Sequence, residues 1–431
     1  MTRSILIVIF SVMCAYSYGE DTRWRTLDDY IIAAKSNSPL IADYRNRKAI
    51  EQSELQRLKS LYTRSSLEVN GEYLFVPIIS KDGGHTTFEW NAQSATDYYG
   101  YDLGESSGHL HAGVTWTQPL LGGSAYKVAR ERSEINNAIN DNLMRMEEHQ
   151  LERAVTEQYL LCMLDKVQIE FADTVASLLE RQTGIVRRLC DSGMARRADE
   201  HLLEIERQSN SESLMAFRQS YHTHLMELNL LCGIDDTTDV QLADIRIVPE
   251  PSAIARQSRF AEQFRLDSLS VASSLRSFEL QYKPQLNLYV NAGMQTGAFG
   301  DWYRHFGWSA GVTFSWTIYD GRQKRDKERQ TQIQQNSIST YRDNAEFQRT
   351  MRVKQCLSEL AAYDERIESH RRQQSEYADV LACYEKEMRA GLVSVLDYIT
   401  VLRNRIQNER DCMLLETNRQ LIMATYNYWN W

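Results

Sequence analysis

The chain has 431 residues, of which 42% are hydrophobic and 25% charged, and its net charge is −9. That composition excludes wholesale disorder, and the acidic balance argues against a nucleic-acid partner bound by phosphate neutralisation. Glycine (20 residues) and proline (6 residues) are scarce, which predicts long uninterrupted elements rather than many turns.

Residues 1–19 read as a signal peptide. Arg3 supplies the positive start, Ile5 to Val12 form a short apolar core, and Ser17-Tyr18-Gly19 offers a cleavage site before Glu20. The apolar run is shorter than the ~20 residues of a spanning helix. Cys14 raises the question of lipidation, but Met13 before it is not a small residue. No later stretch resembles a transmembrane helix, so an exported chain of this kind is soluble, secreted or a β-barrel.

A helix is expected over about 26–62, then a strand from about Ser66 to Pro77 whose alternation is irregular. Ser80 to Ser107, rich in Gly, Tyr, Asp and Ser, reads as a long loop. In the next strand Leu110, Ala112, Val114 and Trp116 share one face, and His109, His111, Gly113, Thr115 and Thr117 share the other. A long helix follows over about 124–190, with Ile135, Ile139, Leu143 and Met146 at coiled-coil-like spacing. A turn at Gly193-Met194-Ala195 leads into a helix over about 195–232. After Pro249-Glu250-Pro251 the order recurs. A helix spans about 253–281. A strand alternates Leu286, Leu288, Val290, Ala292 and Met294 with polar residues, and a short loop follows near Gly297 to Asp301. Phe306, Trp308, Ala310, Val312, Phe314, Trp316 and Ile318 then alternate with small or polar residues. The last helices cover about 322–390, with Val353, Leu357, Leu360 and Ile367 apolar, and about 392–431.

The recurrence has a fixed offset. Ala112-Gly113-Val114-Thr115 returns as Ala310-Gly311-Val312-Thr313, 198 positions later (310 minus 112). The pairs Gly123 and Gly321, Gly193 and Gly391, and Asp199 and Asp397 keep the same offset. The chain therefore reads as two tandem structural repeats, 20–248 and 249–431. In each repeat the long helix is about as long as the two shorter ones together, so two short helices can run beside one long one.

The fold class expected is mixed α/β, mainly α. Strands of about 9–11 residues with one apolar, aromatic face and one small or polar face match a membrane barrel with lipid outside and water inside. An ordinary sheet with one buried face is the competing reading of the strands. Four strands cannot close a barrel or hide their edges from lipid, so other copies must complete it.

The layout resembles the TolC-like outer-membrane efflux protein family along essentially the whole mature chain. Leu27-Asp28-Asp29-Tyr30 with Ser36-Asn37-Ser38-Pro39-Leu40 looks like the family's N-terminal helix signature. Gln118-Pro119-Leu120-Leu121-Gly122-Gly123 and Trp316-Thr317-Ile318-Tyr319-Asp320-Gly321 look like its strand-to-helix junctions. Ser192-Gly193-Met194-Ala195 and Arg389-Ala390-Gly391-Leu392-Val393 look like its hairpin tips, and Arg196 and Arg197 depart from the usual pattern. The resemblance implies a homotrimer with a twelve-stranded transmembrane β-barrel, four strands per protomer, continuing into a periplasmic α-helical barrel. It implies passive conduction in a tripartite efflux or type I secretion system, with an inner-membrane transporter as indirect partner. It also implies that Gly193, Met194, Gly391 and Leu392 meet a periplasmic adaptor protein, and that Asp199 and Asp397 form acidic rings at a periplasmic gate. Thr400 stands where the family has a second acid. A solvated helix-face carboxylate is the competing reading of each Asp.

No nucleophile motif, zinc signature or phosphate loop appears, and no enzyme activity or cofactor is expected. His109 and His111 share a strand face but lack the ligand count of a zinc site. The six cysteines after the signal, Cys162, Cys190, Cys232, Cys356, Cys383 and Cys412, read as buried small apolar groups. The rival to a duct is a periplasmic coiled coil of structural or adhesive role, and the cargo stays open.

Overall fold

Thr26 shows how closely local chemistry sets the helix boundaries. Its hydroxyl accepts the Asp29 backbone N–H at 3.3 Å, and the Asp29 carboxylate accepts the Thr26 N–H at 2.9 Å. This reciprocal cap opens α1, Leu27–Asn37. Ser38, held extended before Pro39, ends it, and α2 runs Pro39–Thr63. The helix expected over 26–62 is thus two helices. The computed structural model describes residues 25–73, 78–89, 110–238, 240–251, 258–296, 303–304, 306–390 and 392–431.

Six strands and seven α-helices are described. The strands are β1 Ser66–Tyr73, β2 Ile78–Asp82, β3 His85–Glu89, β4 Leu110–Pro119, β5 Gln285–Thr296 and β6 Phe306–Ser315. The remaining helices are α3 Gly123–Asp191, α4 Arg197–Cys232, α5 Arg259–Glu279, α6 Gln323–Arg389 and α7 Val395–Trp429. The 69 residues of α3 and 67 of α6 reach about 100 Å at ~1.5 Å per residue. The elements keep the internal offset. The first residues of α4 and α7, Arg197 and Val395, are 198 apart, as are the last residues of α3 and α6, Asp191 and Arg389.

The expectation of a long loop changes. β2 and β3 form a two-stranded antiparallel hairpin with Asp82 opposite His85, so the reading of Ser80 to Ser107 as pure loop fails over 80–89. Residues 90–109, with His109, lie outside the described residues.

Compactness divides the chain into two units that interleave in sequence. One comprises residues up to Ala42, Arg145–Ser258 and Glu346–Trp431. Its largest core joins Leu179, Val186, Leu203, Met388, Tyr398 and Leu402 from α3, α4, α6 and α7. A second core packs Tyr30 of α1, Tyr159 of α3 and Leu228 of α4 under the segment after α4. There the Tyr159 hydroxyl donates to the Ala243 carbonyl at 2.6 Å. Cys162, Cys232, Cys356 and Cys412 are buried in this unit as expected, but Cys383 is exposed and Cys190 only half-buried. Leu357 is exposed while Val353, Leu360 and Ile367 are buried, so the heptad-like reading of α6 assigned one residue to the wrong face.

The other unit comprises Asp43–Met144 and Arg259–Ala345. It holds the four-stranded antiparallel sheet, in the order β1-β4-β5-β6. Ile135, Ile139 and Leu143 are half-buried here, while Ser133 and Asn142 take the most buried places on that stretch of α3. Ser133 donates to Glu51 at 3.1 Å and Asn142 to Gln263 at 3.0 Å, so this part of the helix packs through polar contacts.

Candidate functional site

The strand register sorts every side chain of the sheet. Leu67, Trp116, Val290 and Ala310 form one row across β1, β4, β5 and β6, and Val69, Val114, Ala292 and Trp308 form the next. The intervening rows are Glu68, Thr115, Asn291 and Ser309, then Asn70, Gly113, Gly293 and Gly307. One face is therefore apolar and the other polar or small, the expected alternation, and β1 joins it through Leu67 and Val69. The chain itself leaves much of the apolar face uncovered: Trp308 is 76% exposed and Val69 82%. A sheet that folds for water does not present such a face, whereas a lipid-facing sheet must.

The polar face carries its own signature of curvature. A Cβ added at Gly293 would lie 2.5 Å from the Cα of its register partner Gly113 and 2.5 Å from the Ala112 carbonyl oxygen. Backbones approach so closely there that a side chain at Gly293 would displace them, while one at Gly113 would meet tight contacts at 3.2 Å. The Tyr289 ring lies over Gly311, its own partner on β6. Crowding on the polar face is what a sheet curled around that face produces.

The strand-to-helix junction is fixed by Asp320. Its carboxylate accepts the backbone N–H groups of Arg322 and Lys324, each at 2.8 Å, and the Tyr282 hydroxyl. That hydroxyl, with the backbone donors, holds the Asp320 carboxyl below the usual carboxylate range. The Trp316 indole donates to the Tyr282 carbonyl at 3.1 Å, and Ile318 and Tyr319 stay exposed beside it. Among the described residues no helix is long and apolar enough to cross a membrane.

The tips of the helical hairpins belong to the other unit. Gly193 has φ +74°, which suits glycine, and its N–H donates to the Cys190 carbonyl at 3.0 Å while that of Met194 reaches Leu189 at 2.8 Å. Met194 is 55% exposed and Leu392 78%. Gly391 lies outside the described residues. Arg197 is paired with Asp191 at 3.2 Å and with Glu200 at 3.0 Å, so the departure from the family pattern braces the turn.

Asp199 and Asp397 both stand in the first turn of their helices, α4 and α7. The Asp199 carboxylate accepts the Arg196 backbone N–H at 3.0 Å. Asp397 is exposed, and its backbone N–H donates to the Ser394 carbonyl at 3.1 Å. Each is placed to favour its helix start, where negative charge is stabilised, and Asp397 also faces solvent. Thr400 donates its hydroxyl to the Leu396 carbonyl at 2.8 Å.

A further repeat pair escapes hydrophobic periodicity. Asn210 and Asn408, 198 apart, are both buried. Asn210 donates to the Ala172 carbonyl at 2.9 Å, and Asn408 to His370 Nδ1 at 3.0 Å and Gln373 at 2.6 Å. A buried Asn at one place in each hairpin thus donates to the neighbouring helix, and the shared offset was the signal that could have revealed it. Among the described residues no cluster of three or more His, Cys, Asp or Glu could hold a metal ion. His111 pairs through β4 with Glu72 and Gln295 in register.

No protein-family model matches the chain, and no curated protein matches it. Solved structures do. CusC, described for folding and transmembrane channel formation, superposes with a TM-score of 0.71 at 13% identity, covering 94% of this chain and 91% of that one. The outer membrane protein VceC of Vibrio cholerae gives 0.69 at 11% identity, covering 94% and 95%. The outer membrane channel MtrE of Neisseria gonorrhoeae, in an open state, gives 0.64 at 13% identity, covering 94% and 88%. With its long helical hairpins and its four-stranded sheet, the chain has the fold of the TolC-like outer-membrane channels.

Proposed function

We propose that the protein is one protomer of a trimeric outer-membrane channel-tunnel that conducts, without an energy source of its own, substrates delivered by an inner-membrane transporter. The observation that carries this is the sheet: an uncovered apolar face, a polar face crowded by curvature, and two open edges, β1 and β6. An open edge in lipid leaves backbone groups without partners, so the sheet is completed by copies of itself. Three copies supply twelve strands, and the helical hairpins extend the conduit into the periplasm. The fold shared with outer-membrane channels supports the same reading.

The hairpin tips are the docking points for a periplasmic adaptor, at Gly193, Met194, Gly391 and Leu392. Exposed Met194 and Leu392 at tight turns supply the apolar surface a partner would cover. Asp199 and Asp397 are the gate residues, and in a three-fold ring their charges favour cations at the constriction. The signal peptide over 1–19 routes the chain to export.

The deciding experiment is to purify the protein from outer membranes in detergent and add it to a planar lipid bilayer. Heat-modifiable trimers with discrete conductance steps are expected. A monomer that stays soluble without detergent and gives no conductance defeats the proposal and favours a periplasmic rod.

A further inference from the structure

The duplicated sheet specifies how one copy pairs with the next. Within the chain β4 and β6 are equivalent at the internal offset, since Gly113 matches Gly311. The hairpin registers make β1 and β5 equivalent too, because Asn70 faces Gly113 and Tyr289 faces Gly311. The pair β4–β5, which joins the two repeats, is thus an internal copy of the missing pair between β6 of one protomer and β1 of its neighbour.

We infer that β6 pairs antiparallel with β1 of the adjacent copy in the register that β4 keeps with β5. This rests on the closed ring of copies proposed above and adds its register. Thr115 opposite Asn291 becomes Thr313 opposite the neighbour's Glu72, and Thr117 opposite Tyr289 becomes Ser315 opposite the neighbour's Asn70. On the other face Trp116 opposite Val290 becomes Phe314 opposite the neighbour's Gly71.

Two independent features support this register. It brings apolar face to apolar face and polar to polar, which a slip of one residue would reverse. It also sets an aromatic ring against a glycine at Phe314 and Gly71, as Tyr289 covers Gly311 inside the chain. The strand ends carry a further sign. In β4, Gln118 and Pro119 are paired with β5 and not with β1. Their equivalents Trp316 and Thr317 lie beyond the end of β6, where one chain offers no strand to hold them. The inferred register sets them against the neighbour's Val69 and Glu68 and extends β6 by two residues.

Hydrogen-bond phase makes the inference testable by disulfide trapping. Leu120 donates its N–H to the Leu286 carbonyl at 2.9 Å, so Leu120 and Leu286 form a hydrogen-bonded pair. Alternation then makes Thr117–Tyr289 and Thr115–Asn291 non-hydrogen-bonded pairs, with Cα atoms about 4.5 Å apart. The equivalent intersubunit pairs fall within the roughly 4.4–6.8 Å span of a disulfide. The experiment compares Ser315→Cys with Asn70→Cys, Thr313→Cys with Glu72→Cys, and the offset pair Ser315→Cys with Glu72→Cys, each in the full-length protein. The six cysteines of the mature chain all lie in the other unit, and the parent protein gives their background. The parent and each reduced variant are also fixed with an amine-reactive cross-linker. Oxidation should convert most of the first two variants to covalent trimers and leave the offset pair near background. Trimers from the offset pair, or from neither matched pair while the amine-reactive reagent still gives trimers, overturn the register and leave the ring standing. Monomers under both treatments remove the ring and the register together.

Discussion

Leu203 and Val312 are both branched aliphatic residues in regular elements, yet Leu203 is completely buried while Val312 is 58% exposed. Leu203 packs with Leu179, Val186 and Leu402 in a four-helix core that one chain completes by itself. Val312 belongs to a row of β6 that also holds Phe306, Trp308 and Phe314, all exposed. The helical unit buries this core within one chain, while the sheet leaves its apolar face uncovered. Stability is therefore carried chiefly by the first region, and the proposed function in a membrane by the second.

The largest effect expected is on the helical side. Leu203→Ala should cost about 2–5 kcal/mol of stability, the range for emptying a fully buried leucine site. Thermal unfolding followed by circular dichroism checks this, and an unchanged transition would show that the core is not closed within one chain. The sheet gives the contrasting prediction. Val312→Arg should cost about 2–4 kcal/mol in the membrane if Val312 lies near the bilayer midplane, and should abolish recovery from outer membranes. Thr313→Arg, its neighbour on the polar face, should insert normally. Equal behaviour of the two variants would mean that neither face meets lipid.

The proposed gate sharpens the comparison within the helical unit. If Asp397 lines that gate, Asp397→Ala should raise single-channel conductance or relieve block by cations, because it would remove one charge per protomer from the constriction. Unit charges about 4 Å apart in water interact by about 1 kcal/mol, so the change should not exceed about fivefold. Unchanged conductance and block would assign Asp397 to its helix start alone, the role its position in the first turn of α7 already supplies.

What the sequence revealed depended on whether a pattern was local. The alternation along β4, β5 and β6 and the glycine of the first tip are local, and the register and the Gly193 dihedral agree with them. The β2–β3 hairpin was legible too, since the Gly83-Gly84 pair between Asp82 and His85 is a hairpin turn signal, but the Gly-rich composition around it was read as loop. The break of the first helix at Ser38 followed from Pro39 in the same local way. Leu357 and Cys383 were misplaced because α6 carries apolar residues on more than one side, and spacing alone does not say which side meets α7. The buried Asn210 and Asn408 were invisible to hydrophobic periodicity, which reads a polar residue as a solvated one. For the site, the polar rows of the sheet needed β1, whose own alternation was weak until its pairing with β4 fixed it.

The smallest effect expected concerns the contact of α1 with α3, where Lys35 pairs with Glu152 and His149 approaches the same carboxylate at 3.5 Å. The hydrogen bond from His149 is the main cause that holds the Glu152 carboxyl below its ordinary 4.5, with Lys35 adding to it against partial burial. A carboxyl depressed in the folded state binds protons more weakly there than in the unfolded chain, so folding gains from it once the unfolded group is ionised. The contribution is therefore complete above about pH 4.5 and is lost as pH falls through the lower folded value. Glu152 is more than a third exposed, so screening keeps the gain within the ~1 kcal/mol of a surface pair. Melting temperatures taken across the acid range should fall more steeply for the parent protein than for Glu152→Gln, with the two curves parallel at neutral pH. Curves that stay parallel down to the acid end would show that the N-terminal helix is held by its apolar contacts, Tyr30 against Tyr159 above all, and that the charged pair adds nothing to them.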